Sequence, residues 1–95
     1  MQTIWKYPLE VLNTQIISMP HGAEVLTAQT QRGVDGFALW AKVVPDNNTE
    51  RVEVTAVGTG HDIPGNIGQY LATVQYPNSH IGPLVFHLFI RYLDR

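Results

Sequence analysis

The segment Gly58-Thr59-Gly60-His61-Asp62 holds the densest set of chemically capable groups in this 95-residue chain. Backbone amides around a Gly-x-Gly turn can form a concave nest for an anion. An imidazole beside a carboxylate can move a proton or share a metal ion. Ile63-Pro64-Gly65-Asn66 extends the segment with residue types that favour turns. Two stronger motifs are excluded. A dinucleotide fingerprint must open a helix, and no helix is predicted after Gly60. A phosphate loop needs Gly-Lys-Ser/Thr, which is absent. The competing reading is a plain strand-to-strand connection whose glycines supply positive φ.

The other reactive types are dispersed. His21, His61 and His80 fall in predicted loops, and His87 falls within a predicted strand. No pair has the spacing of a metal site, so no metal and no cofactor are expected. His87, between Phe86 and Leu88, reads as a hydrogen-bonded sheet histidine. Neither Ser18 nor Ser79 sits in a Gly-x-Ser-x-Gly elbow, which argues against a serine nucleophile. No cysteine is present, which excludes disulfides and thiol chemistry. Glu53 is expected on a solvent face, and Asp46 and Asp62 in loops. The sequon Asn47-Asn48-Thr49 is expected to be idle. Among the aromatics, Trp40 suits a core, whereas Trp5 and Tyr7 on an edge strand can stack on a base. The candidate ligand-binding set is Gly58, Thr59, Gly60, His61, Asp62, Trp5 and Tyr7.

Charge narrows the partners. Charged residues make up 15% of the chain, and the formal net charge is −2. A duplex nucleic-acid binder needs clustered cations, and Lys6, Lys42, Arg51 and Arg91 are scattered. Thr27, Gln29 and Gln31, with Thr73 and Gln75, form rows of uncharged polar positions. Exposed strands usually carry charge against edge pairing, so these rows are a candidate interface. A plain solvent face is the alternative. No apolar run approaches the roughly 20 residues of a membrane span. Met1 to Lys6 lacks the pattern of a signal peptide, so a cytoplasmic protein without membrane contact is expected.

Seven strands are needed to position these groups. They are expected near Ile4–Tyr7, Gln15–Met19, Ala23–Gln31, Phe37–Val44, Arg51–Val57, Gly68–Tyr76 and Leu84–Leu93. Val52, Val54 and Ala56 alternate with Arg51, Glu53 and Thr55, the pattern of a half-exposed antiparallel strand. Phe37 to Val44 is apolar on both faces, as in a central strand. Strict alternation predicts Val25, Thr27, Gln29 and Gln31 on one face, and Tyr70, Ala72, Val74 and Tyr76 on one face. Pro8 cannot donate to a ladder, so the first strand is an edge or is broken there. Arg32–Gly36, Pro45–Thr49, Gly58–Gly68 and Pro77–Pro83 read as turns or loops. The expectation is one all-β domain over residues 1–95, a compact antiparallel β-sandwich or partly open barrel.

The opening Ile4-Trp5-Lys6-Tyr7-Pro8-Leu9, then Gln15-Ile16-Ile17-Ser18-Met19-Pro20-His21-Gly22-Ala23-Glu24-Val25-Leu26 and Gln29-Thr30-Gln31, resembles a family of small phage and prophage proteins. Trp40-Ala41, Gly58-Thr59-Gly60-His61, Tyr70, Thr73, Gln75 and Leu84-Val85-Phe86-His87-Leu88-Phe89 resemble it too. The family has no known function. The resemblance implies a phage origin and a compact β fold, and it transfers no catalytic residue. From that origin, the leading expectation is a non-enzymatic binding protein that is homo-oligomeric in the host cytoplasm. It would act in host takeover or anti-defence, sequestering a signalling nucleotide or inhibiting a host protein. The alternative is a structural or accessory phage protein that self-assembles. A third class is a small hydrolase using His61 and Asp62.

Overall fold

The computed structural model describes residues 1–31, 36–76 and 84–95. The described residues form seven strands: β1 (Thr3–Leu9), β2 (Thr14–Pro20), β3 (Glu24–Thr30), β4 (Phe37–Val43), β5 (Thr49–Gly58), β6 (Gln69–Tyr76) and β7 (Leu84–Tyr92). They pair antiparallel in two sheets, β1-β4-β3 and β2-β5-β7-β6. The all-β class and the sandwich-like layering hold, and the sheets do not close into a barrel. The predicted connections at Arg32–Asp35 and Pro77–Pro83, with Ser79 and His80, lie outside the described residues.

Strand position follows apolar content. β4 is the middle of its sheet, and Phe37, Ala38, Leu39, Ala41 and Val43 are buried. β1, which contains Pro8, is an edge of that sheet, where a missing donor does least damage. In β5, Val52 and Val54 point into the core, opposite Tyr92 and Ile90 of β7. The two inner faces interdigitate around Met19, Leu39, Val43, Val52, Val54 and Leu88, all essentially inaccessible to water. Each such side chain contributes roughly 1.5–3 kcal/mol by leaving water.

Two bulges correct the expected faces. Pairing shifts between Val25 and Thr27, so Val25 and Ala28 point inward while Thr27 and Gln29 point out. A second shift between Tyr70 and Ala72 sends Tyr70 outward beside Phe89, while Ala72 and Val74 face in. Each bulge adds one residue to its strand, which inverts the parity of everything before it. Thr30 Oγ1 donates to the backbone carbonyl of Gln75, linking the β3 edge of one sheet to the β6 edge of the other.

The end of the sandwich around residue 50 is closed by charge. Glu50 is buried, sharing the inward parity of Val52 and Val54. Arg95 donates to it through Nη2 at 2.7 Å and through Nε at 3.3 Å. His21 Nδ1 lies 2.8 Å from Oε2, the oxygen that also accepts from Arg95 Nε. Arg95 also donates to the Ala23 carbonyl at 2.7 Å and rests 3.9 Å over the Tyr92 ring. The Asn47 side-chain amide donates to the His21 carbonyl at 2.9 Å, so this loop amide is engaged in holding the β2–β3 turn.

The neighbouring Arg51 and Asp94 form an exposed pair at 2.8 Å. Hydrogen bonding from Arg51 holds the Asp94 carboxyl below its ordinary range. The folded-state pKa is therefore the lower one. The pair's contribution is present above the unfolded carboxyl pKa and is lost as pH falls through the folded value. Melting temperature followed between about pH 5 and 2 is expected to fall less steeply in Asp94→Asn than in the wild type.

Candidate ligand site

The loop after β5 begins where Gly58 ends the strand opposite Phe86. The His61 amide donates to the Gly58 carbonyl at 3.1 Å, closing a tight turn. Gly60 takes φ 87° within that turn, a left-handed value that glycine adopts without strain. The turn folds the His61 ring over Gly58. A Cβ on Gly58 would sit 3.2 Å from Nδ1 and Cε1 of that ring. Gly58 thus has a steric role as well as a conformational one.

Among the described residues, three clefts open around this turn, and His61 lines each of them. The first, about 290 Å³, lies toward Asn13, Thr14 and Asp62. The second, about 310 Å³, lies over the outer face of the four-stranded sheet, between Ile63, Tyr70, His87 and Phe89. The third, about 530 Å³, is bounded by Leu84, Val85 and Phe86. These volumes fall at the small-ligand end of binding sites.

The second cleft has the most ordered polar lining. His87 Nε2 is 2.8 Å from Thr59 Oγ1, and His87 Nδ1 is 3.0 Å from Thr73 Oγ1. Thr73 Oγ1 is in turn 2.8 Å from the Tyr70 hydroxyl. Register explains the meeting: Thr73 lies opposite His87 across the β6–β7 pair. The bulge at Leu71 then turns Tyr70 onto the same outer face, where its ring meets Phe89 edge-on at 5.8 Å. His87 is hydrogen-bonded within the sheet, as its setting predicts.

The expected site residues separate into two places. Gly58, Thr59, Gly60, His61 and Asp62 line one or more of the clefts. Trp5 and Tyr7 lie on β1 in the other sheet, opposite Ala41 and Leu39, and line none of these three clefts. Tyr7 packs against the core, and burial pushes its hydroxyl pKa up. Tyr70, His87, Phe89 and Ile63 complete the second cleft. Of the expected interface rows, Thr27 and Gln29 are exposed on the three-stranded sheet, and Gln31 is half-buried just beyond β3. Thr73 and Gln75 are exposed on the four-stranded sheet, although the Thr73 hydroxyl is committed to Tyr70 and His87.

Four of the cations are engaged elsewhere. Lys42 pairs with Glu24, Arg51 with Asp94, Arg91 with Glu53 and Arg95 with Glu50. Among the described residues, no three His, Asp or Glu side chains converge as a metal site. Among the described residues, no helix is long and apolar enough to cross a membrane.

A family model described as "Domain of unknown function (DUF7352)" matches residues 1–95. The chain belongs to this family. The match spans every strand of the DUF7352 fold seen here, together with the turn that bears His61. No curated protein and no solved structure matches the chain significantly.

A steric prediction follows for this DUF7352 chain. Gly58→Ala is expected to displace the His61 ring, the end of an exposed side chain, at a stability cost below about 1 kcal/mol. Thermal unfolding checks the cost. The His61 ring-proton chemical shifts, expected to move, check the displacement.

Proposed function

We propose that this DUF7352 chain is a small non-enzymatic binding protein whose ligand is a signalling nucleotide. Its site is the turn Gly58–Asp62 with the adjoining outer face of β6 and β7. The observation that carries this reading is the convergence of three clefts on His61, one of them floored by a continuous polar chain. Backbone amides of the turn offer donors to an anion, and Tyr70, Phe89 and His61 offer rings for stacking. The resemblance to phage and prophage proteins supports a phage origin, and with it a role in host takeover or anti-defence by sequestration in the host cytoplasm.

A thermal-shift panel of cyclic mononucleotides and cyclic dinucleotides tests the proposal. At ligand concentrations near 100 times Kd, a rise of roughly 10 °C is expected. His61→Ala is expected to remove it. An unchanged melting temperature across the whole panel contradicts the reading.

Self-association is a second reading, favoured by a separate observation. β1 and β2 are outer strands of their sheets, and Ile4, Trp5, Val11, Leu12 and Ile16 are exposed in this N-terminal stretch. Light scattering is then expected to give a homo-oligomer that Ile4→Lys with Ile16→Lys dissociates. A monomeric wild type contradicts it.

A further inference from the structure

We infer that the cleft over β6 and β7 recognises the polar edge of a nucleobase-like heterocycle, and not a phosphate. This rests on the cleft being the ligand site proposed above. The reason lies in the bookkeeping of hydrogens along Tyr70, Thr73, His87 and Thr59. Both ring nitrogens of His87 and the Thr73 hydroxyl are interior members of the chain. Its two ends, Tyr70 and Thr59, line the cleft.

A neutral imidazole carries one N–H and one acceptor nitrogen. With the proton on Nδ1, His87 donates to Thr73, and Thr73 donates to Tyr70. The Tyr70 proton is then free to donate outward. At the other end Thr59 donates to Nε2, so its oxygen faces the cleft as an acceptor. With the proton on Nε2, every bond reverses. His87 donates to Thr59, which donates outward, while Tyr70 donates to Thr73 and becomes the acceptor. In either state the cleft offers one donor and one acceptor, and the ends exchange roles together.

A phosphate ester dianion only accepts, so while His87 is neutral one end of the chain meets it with a lone pair. Among the described residues, no Lys or Arg lines this cleft to compensate. A heterocycle that carries both a donor and an acceptor on its polar edge complements the two ends. An adenine-type edge and a hypoxanthine-type edge carry that pair in opposite order, and the reversible chain accommodates either. Val57, Ile63 and Phe89 supply the apolar surface for the ring.

Titrations with adenosine, inosine, adenosine monophosphate and inorganic phosphate test this, with 15N shifts of His87 as the second readout. Both nucleosides are expected to bind without any phosphate group, and inorganic phosphate is expected not to displace them. The His87 tautomer is expected to differ between the adenosine and inosine complexes. Thr73→Val is expected to weaken nucleoside binding about tenfold, with Thr73→Ser restoring it. Binding of the monophosphate and inorganic phosphate without the nucleosides overturns this inference and leaves the ligand site standing. One tautomer in both nucleoside complexes also overturns it. Failure of all four probes to bind overturns it, while binding of a cyclic dinucleotide in the thermal panel would still uphold the site.

Discussion

Gly68→Ala is expected to lower the melting temperature by roughly 12 °C or more. A Cβ at Gly68 would be driven into the backbone of β7 at the carbonyl of Ile90. Backbone cannot rotate aside as a side-chain tip can, so the entry into β6 must move. The β6–β7 register begins at once, with Gln69 opposite Ile90. Displacement there also disturbs Ile90, a member of the core. An overpacking cost of about 3 kcal/mol or more is expected, and each kcal/mol is worth roughly 4–8 °C in a domain of this size. Gly65→Ala is the matched control, because a Cβ there meets nothing within 4 Å. Its melting temperature is expected to stay within a few degrees of the wild type. Equal losses in both variants would contradict the close approach at Gly68.

Arg95→Ala is expected to destabilise the fold by roughly 2–4 kcal/mol, measured by urea unfolding at pH 7. The loss is a charge left behind. The Glu50 side chain is 1% exposed, and Arg95 supplies two of its hydrogen bonds. Without Arg95, the buried carboxylate keeps, among the described residues, only His21 close by. Arg95 is itself 38% exposed, which places the expected cost below that of a fully buried pair. The Ala23 carbonyl loses a donor as well. The double variant Arg95→Met with Glu50→Leu removes both charges together. It is expected to recover most of the stability, since a well-packed apolar pair can replace a buried ion pair. A loss in the double variant as large as in Arg95→Ala would contradict this explanation.

The contrast between Glu50 and Thr73 shows what the residues alone can disclose. Glu50, Val52, Val54 and Ala56 are spaced by two, so the inward parity of β5 already marked Glu50 as inward. Its charge and its place after the Asn-rich turn make it look like a loop residue. Its partner Arg95 lies 45 positions away, and nothing local announces that pairing. β4 and β5 were legible because their apolar alternation is uninterrupted. β3 and β6 were legible as strands but not in their facing, because the bulges at Leu26 and Leu71 have no glycine or proline to mark them. The turn at Gly58–His61 was visible through its glycines. Its partners Tyr70, Thr73 and His87 depend on strand order and register, which are long-range properties. Trp5 and Tyr7 were grouped with the loop by chemistry alone, and strand order puts them on the other sheet.

The central claim is that a nucleotide binds at the Gly58–Asp62 turn and the adjoining face of β6 and β7. An amide and side-chain NMR titration with the cyclic nucleotide panel tests it most directly. Saturable shifts are expected at Gly58, Thr59, Gly60, His61, Tyr70, His87 and Phe89, with β1 unaffected. Shifts strongest at Trp5 and Tyr7, or none anywhere, would contradict the account.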